Sequence, residues 1–363
     1  MSDDRPMPLV DLRVIDLSTV IAGPSVARYL ADFGADVIKV ERPEGDSLRN
    51  MAWRDPRDGS ALWWKFANRN KRFVALDLKD DADRDVLLRL VDEAHVLIEN
   101  FRPGALERLG LAPEVLHARN EQLVIIRLTG FGQTGPYASR PGFASIAEAM
   151  SGYAAIAGEP DGAPLLPPIA LTDEVAGLVG AFATMVALHS GVGQVVDVNL
   201  LESLFQLMGP LMSVYRLTGE QQSRLGAGIP YSVPRGTYCC ADGCWVALST
   251  SSDSVAARVM RLIGLGDDPR FTTFAGRVEH REELDALVAD WIAARPMAQV
   301  LDEFGAAEAA IGPVMDMAAI SADPHVAATG MIAEVDGTPM QGLVARLSAT
   351  PGRLRWAGRG VDA

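Results

Sequence analysis

The sequence predicts an α/β protein in which a mostly parallel sheet is covered by helices on both faces, with a smaller α+β domain beside it. Short apolar runs rich in Val, Ile and Leu alternate with amphipathic stretches over the first 200 residues. That is the pattern of strands buried on both faces and joined by helical crossovers. A Gly/Pro-rich stretch, "RLGAGIPYSVPRG", then interrupts the chain, and its character changes beyond it. The length, 363 residues, also exceeds what one hydrophobic core usually organises.

Taken in order, "LRVIDLS" reads as a strand, "TVIAGP" as a turn, "SVARYLADFG" as an amphipathic helix and "ADVIKVE" as a second strand, which makes one βαβ unit. The pattern repeats through strand "RFVALDL", helix "DADRDVLLRLVDEA", strand "HVLIENF", helix "GALERLG" and strand "LVIIRLTGF". A loop, "GFGQTGPYASRPG", leads to a helix over "FASIAEAMSGYAAIAG" and a second loop, "EPDGAPLLPP". A long apolar helix, the strand "QVVDVNL" and a helical segment from Leu201 to Thr218 follow. Past the Gly/Pro-rich stretch, "TYCCADGCWVALS" predicts a hairpin turning at "ADG", with helices over 252–264 and 280–294. The expected division is a large domain over 1–200, a linker over 201–228, a small domain over 229–320 and a return segment over 321–363.

The net charge of −14 argues against a nucleic-acid or anionic-membrane partner, because both need a basic footprint. The longest apolar run, Val175 to Leu188, is too short at 14 residues to span a bilayer and predicts a buried helix. The N-terminal "MSDDRPMPLVDL" has no apolar signal core, so a cytoplasmic protein is expected. All three cysteines lie in "CCADGC", and no His stands within 30 residues to complete a four-ligand zinc site, so no metal is expected.

A βαβ start raises the possibility of dinucleotide binding. The loop "STVIAGP" holds one glycine where that fingerprint needs three, and only Glu41, at the end of the second strand, fits it. None of the five histidines falls in a nucleophile elbow or an HExxH pattern. The stretch "PPIALTDEVAGLVGAF" instead places Asp173 and Glu174 where an apolar helix begins. Asp173, Gly177, Gly180 and Thr184 share one helical face with Ala176 beside them, so the carboxylate heads a stripe of small residues. Such a stripe admits either a ligand or a neighbouring helix, and an acid in a first turn also interacts favourably with the helix dipole. Glu174, turned about 100° away, is expected to face solvent.

Basic residues gather at Lys39 and Arg42, at Arg69, Lys71 and Arg72, and at Arg102 and Arg108. Each group lies near the carboxyl end of a strand or in the connection to the next, where open α/β sheets bind ligands, so a phosphate-bearing ligand is expected despite the acidic whole.

The stretches "DLSTVIAGPSVARYLADFGADVIKVERPEGD", "NKRFVALDLK", "ENFRPGALERLGL", "LTGFGQTGPYASRPGF", "PPIALTDEVAG" and "GQVVDVNLLESL" occur in the order found in class III CoA-transferases, the CaiB/BaiF family, which this chain resembles over almost its whole length. The resemblance implies a Rossmann-like large domain and an interlocked homodimer in which each chain passes through the ring of the other. It implies an acyl-CoA:carboxylate CoA-transferase acting on CoA thioesters and small carboxylic acids, with coenzyme A as substrate and no further cofactor. Asp173 matches the covalent nucleophile. An ionised carboxylate needs no neighbouring base at neutral pH. CoA contacts would fall on Ile21, Ala22, Arg42, Ala67, Asn68, Arg69, Asn70, Asn100, Phe101, Arg108, Arg140 and Phe143, and charge adds Lys71 and Arg72. Oxalate-using relatives carry a glutamine at the place of Ile21 and a glycine run in the small domain; this chain has neither, so oxalate is not the expected acid. Related acyl-CoA racemases use a His and an Asp where this chain has Phe143 and Ala144, and a glutamate where it has Cys239. Racemisation and nicotinamide-dependent dehydrogenation are the alternatives.

Overall fold

A computed structural model describes residues 5–51 and 53–360. Within it the chain forms two compact units: Met1–Tyr153 with Leu166–Gly209 and His325–Ala363, and Ala154–Leu165 with Pro210–Pro324. The second unit thus includes part of the stretch assigned from sequence to the large domain. Residues 201–228 hold the end of one helix, Leu200–Gln206, and all of another, Leu211–Thr218.

The first unit is built on six parallel strands: β1 (Arg13–Asp16), β2 (Asp36–Glu41), β3 (Lys71–Ala75), β4 (Val96–Glu99), β5 (Val124–Thr129) and β6 (Gln194–Asn199). Their spatial order is β3-β2-β1-β4-β5-β6, with every pairing parallel. This is the doubly wound arrangement, and its switch point lies between the carboxyl ends of β1 and β4. Val14, Val37, Val96, Ile98 and Ile126 face the helices Ala22–Asp32 and Leu171–Ser190. Ile15, Leu97 and Ile125 face Asp81–Val91 and Pro113–Arg119 on the other side. Side chains alternate across a strand, so apolar residues on both parities demand helices on both faces.

The helix Leu171–Ser190 ends at Gly191, whose φ of 67° is the left-handed conformation that glycine adopts without a Cβ penalty. At 20 residues it exceeds the 14-residue apolar run, and its length and composition alone would let it cross a bilayer. Its packing assigns it elsewhere: Ala176, Gly177, Gly180, Thr184 and Ala187 are buried, and Glu174 is ion-paired to Arg28. The helix expected over 143–158 is broken into Ala144–Met150 and Tyr153–Ile156 at Gly152, where φ is 94°.

The last residues return to the outer edge of the sheet. The Asn70 N–H donates to the Trp356 carbonyl at 2.9 Å, and Trp356 Nε1 donates to the Lys71 carbonyl at 3.0 Å. The hairpin of β10 (Ile332–Val335) and β11 (Thr338–Gln341) belongs to this unit. In the second unit β7 (Arg235–Cys239), β8 (Trp245–Ser249) and β9 (Ile311–Pro313) form an antiparallel sheet. Its core joins Tyr238, Val246 and Leu248 to Val259, Leu284, Val288 and Phe304.

Candidate active site

At the switch point the loop after β1 is held from three sides. Asn100, just past β4, accepts the Thr19 N–H at 2.8 Å and donates to the Thr19 carbonyl at 2.7 Å. Lys39 donates to the Ser18 carbonyl. Asp46 accepts the Val20 N–H at 3.2 Å. These bonds hold Val20 at φ 67°, a region that β-branched residues rarely enter, so the neighbours rather than the loop's own preferences set its path. Beside it opens a crevice of about 630 Å³, lined among others by Thr19, Arg42, Glu44, Phe101 and the run Leu76–Lys79.

The other half of the site is the first turn of Leu171–Ser190. Its N-cap residue, Ala170, has no side chain to cap with, and Asp173 lies three residues inside, so Asp173 is not the cap. The Thr172 hydroxyl donates to Glu148 Oε1 at 2.9 Å. Asp173 itself makes no hydrogen bond or ion pair among the described residues. Burial, then the neighbouring charges of Glu174 and Glu148, push its carboxyl up to about 6. Glu174 departs from expectation. It is not solvated but accepts from Ser25 Oγ at 3.0 Å, Arg28 Nη2 at 2.7 Å and the Tyr29 hydroxyl at 2.9 Å, because its turn faces the helix Ala22–Asp32.

The small-residue stripe also has a different occupant from a ligand. A Cβ on Gly177 would meet Ser25 Cβ at 2.7 Å, and one on Gly180 would meet Val26 Cγ2 at 2.6 Å. The stripe therefore seats the helix Ala22–Asp32, and Ala170, the N-cap of the helix bearing Asp173, packs on the cluster that contains Ile21.

The remaining sequence-predicted residues divide into two groups. Ile21 and Ala22 are buried at the start of that helix, and the Ala22 carbonyl lies against Gly177. Arg42 and Phe101 line the crevice, and Asn100 pins its loop. Arg108, Arg140 and Phe143 are exposed, with Arg140 stacked on Tyr137. The run from Ala67 to Arg72 is not brought to the crevice. Ala67 and Asn68 are fully buried, Arg69 forks onto Asp32, and Asn70 donates to Asp32 and the Arg353 carbonyl. Lys71 spends its ammonium on Asp16, Asn68 and the Pro24 carbonyl, each at 2.9 Å. Arg72 pairs with Asp36 at the amino ends of β2 and β3, the edge opposite the crevice. The crevice instead takes Leu76, Asp77, Leu78 and Lys79, which sequence reasoning passed over. Their signal was position, since "LDLK" directly follows the carboxyl end of β3.

Residues 9–358 match CoA-transferase family III. The chain is 41% identical to succinyl-CoA–D-citramalate CoA-transferase of Chloroflexus aurantiacus, across 99% of this chain and 92% of that protein. It is 37% identical to the beta subunit of succinyl-CoA–L-malate CoA-transferase from the same organism, across 97% of this chain and 91% of that one. Among solved structures it resembles a CaiB/BaiF family protein from Brucella suis, with a TM-score of 0.87 and 33% identity over 99% of this chain and 97% of that one. A doubly wound sheet of this order, together with a family match over residues 9–358 and relatives at 41% and 37% identity across nearly the whole chain, places the chain in CoA-transferase family III as a CoA-transferase.

Proposed function

We propose that this CoA-transferase moves CoA between carboxylic acids through covalent attachment to Asp173. The observation that carries the reading is the state of that carboxylate: part-buried, unpaired, and turned away from the capping role. An ionised carboxylate that no donor stabilises is a better nucleophile than one committed to an ion pair.

Asp173 attacks the thioester carbonyl of the donor; the C–S bond breaks, CoA leaves as thiolate, and a mixed anhydride remains. The thiolate then attacks the aspartyl carbonyl, releasing the donor acid and leaving an aspartyl-CoA thioester. The acceptor carboxylate attacks that thioester, expelling CoA thiolate, which takes the acceptor acyl group from the second anhydride and regenerates Asp173. Every step exchanges one acyl bond for another, so neither ATP nor a further cofactor is called for. The N–H groups of Thr172 and Asp173, in the helix's first turn, are suited to the developing oxyanion.

The crevice supplies the CoA side of the reading, with Arg42 and Lys79 meeting phosphates and Phe101 an apolar part. Arg108 stands next in sequence to Leu109, which lines the crevice, and is a further phosphate contact in this reading. The relatives' names point to succinyl-CoA as donor and a dicarboxylic acid as acceptor. Phe143 and Ala144 offer no proton-accepting group, which disfavours racemisation. A homodimer is part of the same reading: Leu178, Phe182, Met185 and Val186 leave an exposed apolar face on the helix Leu171–Ser190, the kind of surface that a partner covers.

The test is Asp173→Asn, assayed with succinyl-CoA and a panel of dicarboxylic acids by mass spectrometry. We expect a folded protein that binds CoA but loses transfer by roughly three orders of magnitude or more, as for removal of a covalent nucleophile. Borohydride should trap the wild-type thioester as an alcohol on the peptide containing Asp173. Transfer retained by Asp173→Asn, or a label on Glu174, would refute the reading. A sedimentation mass of one chain at micromolar concentration would refute the homodimer.

A further inference from the structure

The turn that bears Asp173 is fastened to the neighbouring helix through the next residue. Glu174 gathers the Ser25 hydroxyl, the Tyr29 hydroxyl and Arg28 Nη2, all from Ala22–Asp32. Arg28 is 3% exposed, and its guanidinium carbon lies 4.2 Å from the Tyr29 ring centroid and 4.4 Å from that of Phe66. Aromatic faces hold a cation there, but a buried guanidinium needs a carboxylate partner to be tolerated. The two helices joined in this way each contribute to the site: one starts at the Ile21–Ala22 loop, the other at the turn of Asp173.

Resting on the reading of Asp173 as nucleophile, we propose that Arg28 and Glu174 are a positioning pair: it fixes the nucleophile's turn to the helix that follows the β1 loop and neutralises the negative charge adjacent to it. Three carboxylates crowd this turn. Glu174 on the same helix and Glu148 on Ala144–Met150 both act on Asp173, and Arg28 is the cation that Ala22–Asp32 presents to the group. Adjacent buried carboxylates resist ionising together, so a nucleophile that must be ionised benefits when its neighbour's charge is cancelled. The contact runs through Nη2 while Nε has no partner, so a lysine can reproduce its charge.

The pair makes an opposite-signed prediction that a merely structural contact does not. In Glu174→Gln a like charge is lost, and the acid limb of the kcat/KM pH profile should move down by about half a unit. In Arg28→Met the uncancelled carboxylate remains, and the limb should move up by about as much, with kcat reduced roughly tenfold and KM for the acyl-CoA within about twofold. Arg28→Lys should keep the limb and kcat near wild type, and this variant with Glu174→Gln decides the matter if Arg28→Met does not fold. The Asp173 carboxyl ¹³C resonance, identified by its absence from Asp173→Asn, should titrate with the same shifts in full-length protein without turnover. A limb and resonance unmoved in Glu174→Gln, or moved upward, would overturn the proposal. So would an Arg28→Lys protein whose resonance shifts upward by the amount expected for Arg28→Met. Transfer retained by Asp173→Asn removes the nucleophile reading instead, and the carboxyl titration separates the two failures.

Discussion

Gly177 lies so close to Ser25 that a Cβ added to it would stand 2.7 Å from the serine Cβ. Neither atom is at the end of a flexible chain, so Gly177→Ala must push the two helices apart. Alanine favours a helix over glycine by about 1 kcal/mol, and overpacking costs about 1 to 3 kcal/mol, so the second effect wins. We expect Gly177→Ala to lower Tm and to reduce transfer, because the displaced helix carries Asp173. A Tm equal to or above wild type would show that the interface relaxes freely.

The raised carboxyl of Asp173 has consequences for both rate and stability. Transfer should fall as pH drops through about 6, since the protonated acid is not a nucleophile. The folded state also holds this proton more tightly than the unfolded chain, so the group favours folding at low pH and this contribution is lost as pH rises from about 4 to 6. At pH 7.5 the ionised carboxyl therefore costs stability, at most about 3 kcal/mol and nearer 1 for a part-exposed group. Asp173→Asn should melt higher than wild type at pH 7.5, with the difference shrinking near pH 4.5. A variant that melts lower at both would contradict the burial of this charge.

Two arginines that look alike in sequence should separate in experiment. Arg69 is 1% exposed and forks onto buried Asp32, so Arg69→Ala leaves an unpaired buried carboxylate and should cost about 3 to 5 kcal/mol in a denaturant titration. Arg42 is exposed at the crevice, and Arg42→Ala should leave the unfolding midpoint nearly unchanged while weakening CoA binding several-fold, more so at low salt. Equal effects on CoA affinity with no loss of stability in Arg69→Ala would restore Arg69 to the binding site.

Asn100→Ala removes three bonds with Thr19 and leaves its N–H, hydroxyl and carbonyl without those partners. With Val20 at positive φ, the loop should relax toward an ordinary conformation. KM for the acyl-CoA should rise about tenfold, and hydrogen exchange at residues 19–21 should accelerate. Unchanged exchange there would mean that Asp46 and Lys39 suffice to hold it.

The parallel sheet was legible because each strand is a compact apolar run between amphipathic helices; Asp173 stood out as a carboxylate heading an apolar helix, while its role as nucleophile came from the family resemblance. What escaped depends on which way side chains turn once elements pack. Glu174 could not be assigned without knowing that Ala22–Asp32 lies against its turn. The basic run Arg69–Arg72 looked like a phosphate site because its partners Asp32, Asp16 and Asp36 lie 37, 55 and 36 residues earlier. Only the fold brings these together, and it spends the positive charge before a ligand can use it.

The docking of residues near Trp356 beside the start of β3 bears on biosynthesis. The first unit is discontinuous: its final segment begins at His325, after the second unit has been made. At roughly 5 to 20 residues per second, translating Pro210–Pro324 takes on the order of ten seconds. During that interval Asn70 and Lys71 lack their bonds to Trp356, and Arg69 and Asn70 lack the carbonyls of Gln341 and Arg353. The first unit is therefore completed only when its last segment, from His325 on, has been made.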